Sequence, residues 1–301
     1  MSRVKLEHYV PQVYLRAYAN CDHLWAFDRR SSKSYGTAID KMAAEGGFYD
    51  SQLFDQLVGV DQAAEKALSG LEGRFGIVLN ACVARLREHD FLRFLEPERR
   101  TLADMIAVQM IRTPETRVAL RQLGQALVDN RSLLFPGGEW DRLDEQVGEA
   151  EARDLQIGLI FDEDVRRRLS GLLLKRLWLV VETNEAQIYT SDHPVVATGG
   201  WAIRGSEVFF PLTAQHLLVI VDEPSERWQH CVGNRASDAA KASIEYVNTL
   251  QVAQSFRRVF FVLDEFQFAR ELLLRDRDLA NTERERITVI GPQDCRNGPD
   301  V

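Results

Sequence analysis

Lysine is scarce in this chain. Only six of its 37 lysine and arginine positions carry it (Lys5, Lys33, Lys41, Lys66, Lys175 and Lys241), so its cationic chemistry is almost all guanidinium. Against 45 acidic residues the net charge is −8. That excludes a broad basic surface of the kind that grips nucleic acid or an anionic membrane, while leaving room for a local basic groove. An arginine excess suits forked contacts to anions, and a bias in the coding sequence produces the same excess. Cysteine is sparse too. Cys21, Cys82, Cys231 and Cys295 lie far apart, which excludes a zinc knuckle and a redox pair, and a reducing compartment is implied. No apolar run reaches membrane-spanning length; the longest, Leu172 to Val181, is interrupted by Lys175 and Arg176. The start of the chain runs from Met1 into His8 and Pro11 without the apolar core of a signal peptide. A soluble, cytoplasmic protein with no membrane partner is the expectation. Also lacking are the phosphate-binding glycine loops, the nucleophile elbow and the His-Glu-x-x-His zinc motif. Gly46-Gly47 and Gly199-Gly200 have no strand-to-helix context.

What is present is an ordinary core: 301 residues, 45% hydrophobic and 27% charged. The Leu24-Trp25-Ala26-Phe27-Asp28 run, a polar Ser31–Ser34 connection and Tyr35 predict a β-hairpin. Leu68, Leu71, Phe75, Val78, Leu79, Cys82 and Leu86 recur at spacings of three and four, predicting an amphipathic helix that Asp61 caps. Glu96-Pro97-Glu98 opens a second helix, apolar on most sides to Ile111, and Thr113-Pro114 restarts a third. One helix over about 151–170 precedes strands at 172–182, 186–189, 207–210 and 217–221. A helix over about 236–253, a strand at 258–263 and a short helix over about 266–274 complete the pattern. The fold class is α+β: a helical layer from the first half on a mainly antiparallel sheet built from the second half plus N-terminal strands. A single domain is expected over 1–280, with a polar excursion near 132–150 and a flexible tail over 281–301.

The polar positions are more specific. Glu65 and Glu72 fall on the helical face 61, 65, 68, 72, 75, 79, beside Leu68, Phe75 and Leu79. A carboxylate inside an apolar stripe is costly unless paired, so Glu72 needs a partner; Glu65 also fits the stripe's edge, reaching to water. Arg112, ending the apolar helix one turn after Gln109, is a candidate partner and equally suits capping its own helix. Ser191-Asp192-His193-Pro194 follows a strand, where an aspartate can act as acid, base or ligand, or simply turn the chain. His193 adds a neutral ligand or proton shuttle. His8-Tyr9-Val10-Pro11-Gln12 places a histidine and a glutamine around a rigid proline, with Tyr14 and Arg16 following.

Taken in order, these pieces resemble domain-of-unknown-function family 4238. The resemblance rests on His8-Tyr9-Val10-Pro11-Gln12 with Leu15-Arg16, Leu24 to Asp28, Ala44-Glu45 with Phe48-Tyr49, Glu65 and Glu72, and Arg112-Thr113-Pro114. It continues through Ser191-Asp192-His193-Pro194-Val195, Phe210-Pro211-Leu212 and Asn248, covering about residues 5 to 263. The position after Asp192 is often asparagine in the family; here it is His193. The resemblance implies that His8, Glu45, Glu72, Arg112, Asp192 and Asn248 belong to one pattern, and polar patterns mark sites more than cores.

Two readings stay open. In the first, His8, Glu45, Glu72, Arg112 and Asp192 form a catalytic cleft with Gln12, Arg16, His193 and Asn248 binding substrate. Carboxylates and histidine would hold a divalent metal ion or a water, and arginine would hold a phosphate, which suits hydrolysis of a phosphoester in a nucleotide or short nucleic acid. A variant cleaves a glycosidic bond, such as that of an ADP-ribose compound. In the second, a non-enzymatic binding or regulatory module, the same residues lock the helical layer onto the sheet.

Overall fold

The structure, a computed structural model, describes residues 6–19, 21–89, 94–130, 147–184, 187–199, 204–229, 237–238 and 241–287. The chain opens with β1 (Glu7–His8), α1 (Gln12–Ala19), the hairpin of β2 (His23–Asp28) and β3 (Lys33–Ala38), and β4 (Ala44–Glu45). Helices follow: α2 (Gln52–Val58), α3 (Ala63–His89), α4 (Glu96–Ile111), α5 (Pro114–Asp129), α6 (Glu149–Phe161) and α7 (Glu163–Leu174). The second half supplies β5 (Leu177–Glu182), β6 (Thr190–Ser191), β7 (Val196–Ala197), β8 (Val208–Pro211), β9 (His216–Val221), β10 (Ser237–Asp238), α8 (Lys241–Gln254), β11 (Arg258–Phe261) and α9 (Gln267–Arg275). The fold is α+β, as expected.

Three sheets carry the β layer. β7, β8, β9 and β5 are antiparallel neighbours, and β10 adds to the β5 edge in parallel. β9 is buried along its whole length, because both sheet faces are covered. Leu218 and Ile220 join the main core, while Leu217, Val219 and Val221 pack with Ile244 and Val247 of α8 on the other side. A second sheet, in the order β3-β2-β11-β6, joins the N-terminal hairpin to strands from the far end of the chain. β1 and β4 form a separate pair that places Glu7 opposite Glu45 and His8 opposite Ala44. In the helical layer α4 is central, touching α3, α5, α6 and α7. From Leu102 to Ile111 only Asp104 escapes burial, matching its apolar sequence.

Several boundaries differ from the sequence reading. α3 is capped by Asp55, not Asp61: the Asp55 carboxylate accepts from the Gln62 and Ala63 amides at 2.9 and 2.8 Å. The helix expected over 151–170 is two helices, because Asp162 breaks the first and caps the second through the Asp164 and Val165 amides. Leu172–Leu174 continue that helix, so the strand starts at Leu177. Residues 187–189 of the strand expected at 186–189 are not in a strand; the two-residue β6 follows them at Thr190–Ser191, and residue 186 lies outside the described residues. Within the segment expected as a flexible tail, Arg284 and Arg286 both pair with Glu115 of α5, at 2.9 and 2.8 Å. The rest of that segment, 288–301, and residues 132–146 of the expected polar excursion lie outside the described residues. Among the described residues no helix is long and apolar enough to cross a membrane.

Candidate functional site

The cluster is built on Arg112, the residue at which α4 ends. Its guanidinium is 1% exposed and each of its three nitrogens donates a hydrogen bond. Nη1 donates to Glu72 Oε1 at 2.7 Å, Nε to the Tyr49 hydroxyl at 3.0 Å and Nη2 to the His8 carbonyl at 2.5 Å. The Tyr49 hydroxyl in turn donates to the Arg112 carbonyl at 3.2 Å, which satisfies an orphan acceptor at the end of α4. Beneath lies a second acidic residue. Glu7 is fully buried and accepts from the Tyr49 amide at 2.6 Å and from the Gln62 side chain at 3.0 Å.

Above this buried floor sits a half-buried layer of His8, Gln12, Glu65 and Glu72. The antiparallel β1–β4 pair and the buried Pro11 hold His8 over the floor, and His8 Nε2 lies 3.1 Å from the Asp40 carbonyl. The Gln12 amide nitrogen is 3.2 and 3.4 Å from the two ring nitrogens of His8. Near-equal distances to both place the amide over the ring face rather than in its plane. α3 supplies both glutamates from one face, seven residues apart, as their spacing required. Glu72 is 24% exposed, and its Oε2 is left outside the Arg112 bond.

The electrostatics separate these groups. Glu65 makes no hydrogen bond among the described residues; burial, then the charges of Glu72 and Glu7, push its carboxyl up to about 7 against the pull of Arg112. Burial lowers the His8 imidazole, with the Asp40 carbonyl and Glu72 opposing, which favours the neutral ring. Arg112 is held above its ordinary value: burial works against its charge, and Tyr49 and Glu72 outweigh burial. Tyr49 is pushed up to about 12 by burial, so its hydroxyl keeps its proton. Among the described residues no group of three or more His, Cys, Asp and Glu side chains is arranged to hold a metal ion.

Of the residues assigned to the catalytic cleft from the sequence, His8, Gln12, Glu72 and Arg112 are brought together. The others of that set lie elsewhere. Asp192 is fully buried, and its carboxylate accepts from the amides of Phe256, Arg257 and Arg258 at 2.8, 2.9 and 2.7 Å, fixing the entry to β11. Burial raises that carboxyl to about 6, with the Arg258 and Arg257 amides and Arg29 opposing. Asn248 pegs α8 to the chain before β6, accepting from the Tyr189 amide and donating to the Gln187 carbonyl. It also lines a cavity of about 780 Å³ on the α8–α9 side of the molecule. His193 lines a smaller cavity beside α5. Arg16 pairs with Asp22 on the surface at 2.7 Å, and Glu45 is exposed on β4. Glu65, which the sequence left at the stripe's edge, belongs to the cluster, and so do Glu7, Tyr49 and Gln62. Tyr49 lies in a segment that carries the family resemblance; nothing in the sequence marks Glu7.

A family model described as Protein of unknown function (DUF4238) matches residues 7–264. The chain belongs to that family. In the DUF4238 chain described here, the match spans the whole Arg112 cluster, from Glu7 and His8 through Tyr49, Glu65 and Glu72. No curated protein and no solved structure matches the chain.

Proposed function

We propose that this DUF4238 protein is a hydrolase in which Glu65 and Glu72 act as paired carboxyls on a glycosidic bond, with a sugar-bearing compound such as an ADP-ribose derivative as substrate class. The observation that carries the reading is the Glu65 carboxyl, without a hydrogen bond among the described residues and pushed up to about 7, beside a Glu72 that Arg112 anchors. Glu65 would donate its proton to the departing oxygen or nitrogen. The free Oε2 of Glu72 would stabilise the positive charge developing on the sugar, and Glu65, now ionised, would take a proton from the attacking water and so regenerate the acid. Neutral His8 and Gln12 would bind sugar hydroxyls.

The phosphoester version has less behind it. Each Arg112 nitrogen already donates to the protein from a guanidinium that is 1% exposed, and the nearby Glu72 and Glu7 carboxylates repel an anion. The binding-module reading draws on the same buried floor, since a satisfied Arg112 and Glu7 are what a structural lock requires. A turnover screen with nitrophenyl glycosides, nucleosides, ADP-ribosyl compounds and phosphodiesters tests all three. Glycosidic cleavage that falls at least about 100-fold in Glu65→Gln and Glu72→Gln, and that wild type loses as pH rises through about 7, is expected. Turnover of phosphodiesters alone overturns the glycosidic assignment. No turnover of any bond returns the protein to the binding class.

A further inference from the structure

A second cavity, about 360 Å³, opens between α5, α6, α7 and the strand β7, and no side chain of the Arg112 cluster lines it. Its wall is mostly apolar, with Met110, Leu120, Leu159, Leu169, Val195 and Ala197 contributing. That volume is on the scale of a small-ligand pocket. Four polar side chains also reach it and are already committed. Gln254 exchanges two hydrogen bonds with the Ala197 backbone, at 3.1 and 2.7 Å. Arg286 spends its donors on Glu115 and on the carbonyls of Arg284 and Thr282, and Glu115 spends its carboxylate on Arg284 and Arg286. Thr116 donates to the Met110 carbonyl at 2.6 Å.

His193 is the exception. Its Nδ1 lies 2.7 Å from Thr113 Oγ1, which lies 3.3 Å from Thr116 Oγ1. Because the Thr116 proton goes to Met110, the Thr113–Thr116 contact is a hydrogen bond only if Thr113 donates. Thr113 must then accept from His193 Nδ1–H. The chain of bonds runs one way, from imidazole through two hydroxyls to a carbonyl, and it leaves Nε2 as an unprotonated acceptor. Burial drives the His193 pKa down to about 4, so the ring stays neutral at physiological pH.

We propose that this cavity binds a small, uncharged, apolar molecule bearing one hydroxyl, which donates to His193 Nε2. A charged group is disfavoured, since every counter-charge at the wall is already paired. The site is independent of the glutamate cluster and of the glycosidic reading.

Cyclohexanol and cyclohexanone, nearly equal in shape but differing in the donor, are the probes. Titration by calorimetry and by the His193 Cε1–H resonance is expected to give cyclohexanol about fivefold tighter than cyclohexanone, the worth of one neutral hydrogen bond. In His193→Asn the amide replaces Nδ1 but not Nε2, so both probes should bind equally. Ala119→Phe fills the cavity and should abolish binding of both. Equal or reversed preference in the wild type overturns the acceptor assignment. No binding of cyclohexanol up to its solubility, or unchanged binding in Ala119→Phe, overturns the site. Should His193→Asn fail to fold, the wild-type comparison and the filled cavity still decide.

Discussion

A carboxyl whose pKa is raised by folding costs stability wherever the unfolded chain would ionise it. For Glu65, ordinarily at 4.5 and here about 7, the folded state binds its proton more tightly. Below pH 4.5 both states are protonated and nothing is lost; as pH climbs to about 7 the unfolded state alone gives up its proton, and stability falls across that window. Glu65→Gln removes the liability. Discounted for the partial exposure of Glu65, its stability gain over wild type should be about 1–2 kcal/mol at pH 8 and near zero at pH 4. Urea denaturation of both proteins at the two pH values measures it, and a gain that is equal at both would refute the titration. The need of Glu72 for a partner was legible from the sequence, because a carboxylate on an apolar stripe is costly alone; Arg112 was one candidate, equally suited to capping its own helix, and the structure pairs the two. Glu7 was not legible. Its burial depends on where the β1–β4 pair lands against α3, and no local pattern in two strand residues encodes that.

At the scale of the element, α3 carries both glutamates, so the start of α3 sets their height over the floor. Gln62 adopts a left-handed backbone (φ 52) and hands the orphan amides to Asp55, a residue of the preceding helix. Asp55→Ala should therefore cost about 1–2 kcal/mol in urea denaturation with an unchanged slope. Asp61→Ala should stay within about 0.5 kcal/mol, since that side chain is exposed and its described bond, to Lys66, uses the backbone carbonyl. Equal losses would return the cap to Asp61. The sequence pointed to Asp61 because capping is sought next to the first turn, whereas Asp55 reaches it across the α2–α3 turn. The β2–β3 hairpin was readable from alternation and a polar turn, and α4 from its caps and apolar length. The α7–β5 boundary was not, because Leu172 to Val181 is apolar enough for a buried helix or a buried strand alike.

Across the whole molecule, the early and late parts of the described chain meet. β2 pairs with β11, Tyr14 donates to the Pro211 carbonyl at 2.9 Å, and Tyr18 to the Ile188 carbonyl at 2.5 Å, so the N-terminal segment is closed by residues far along the sequence. Contacts this far apart in sequence carry a large loop-closure cost in folding. The last described segment completes this closure: Arg284 and Arg286 converge on Glu115, whose side chain is 12% exposed, and Gln122 exchanges bonds with the backbone of Arg284 and Arg286. A carboxylate at that depth depends on its cations. Ending the chain at Ala280 should strand it and cost about 3–5 kcal/mol, the loss typical of removing one side of a buried pair. Arg284→Ala/Arg286→Ala in the full chain should lose a similar amount. The decisive arm is Glu115→Gln, which should destabilise the full chain yet restore part of the loss in the shortened one, because there it removes an unpaired charge rather than a bond. If Glu115→Gln is equally harmful in both backgrounds, the strap contributes through packing, and the charge convergence on Glu115 carries none of its grip.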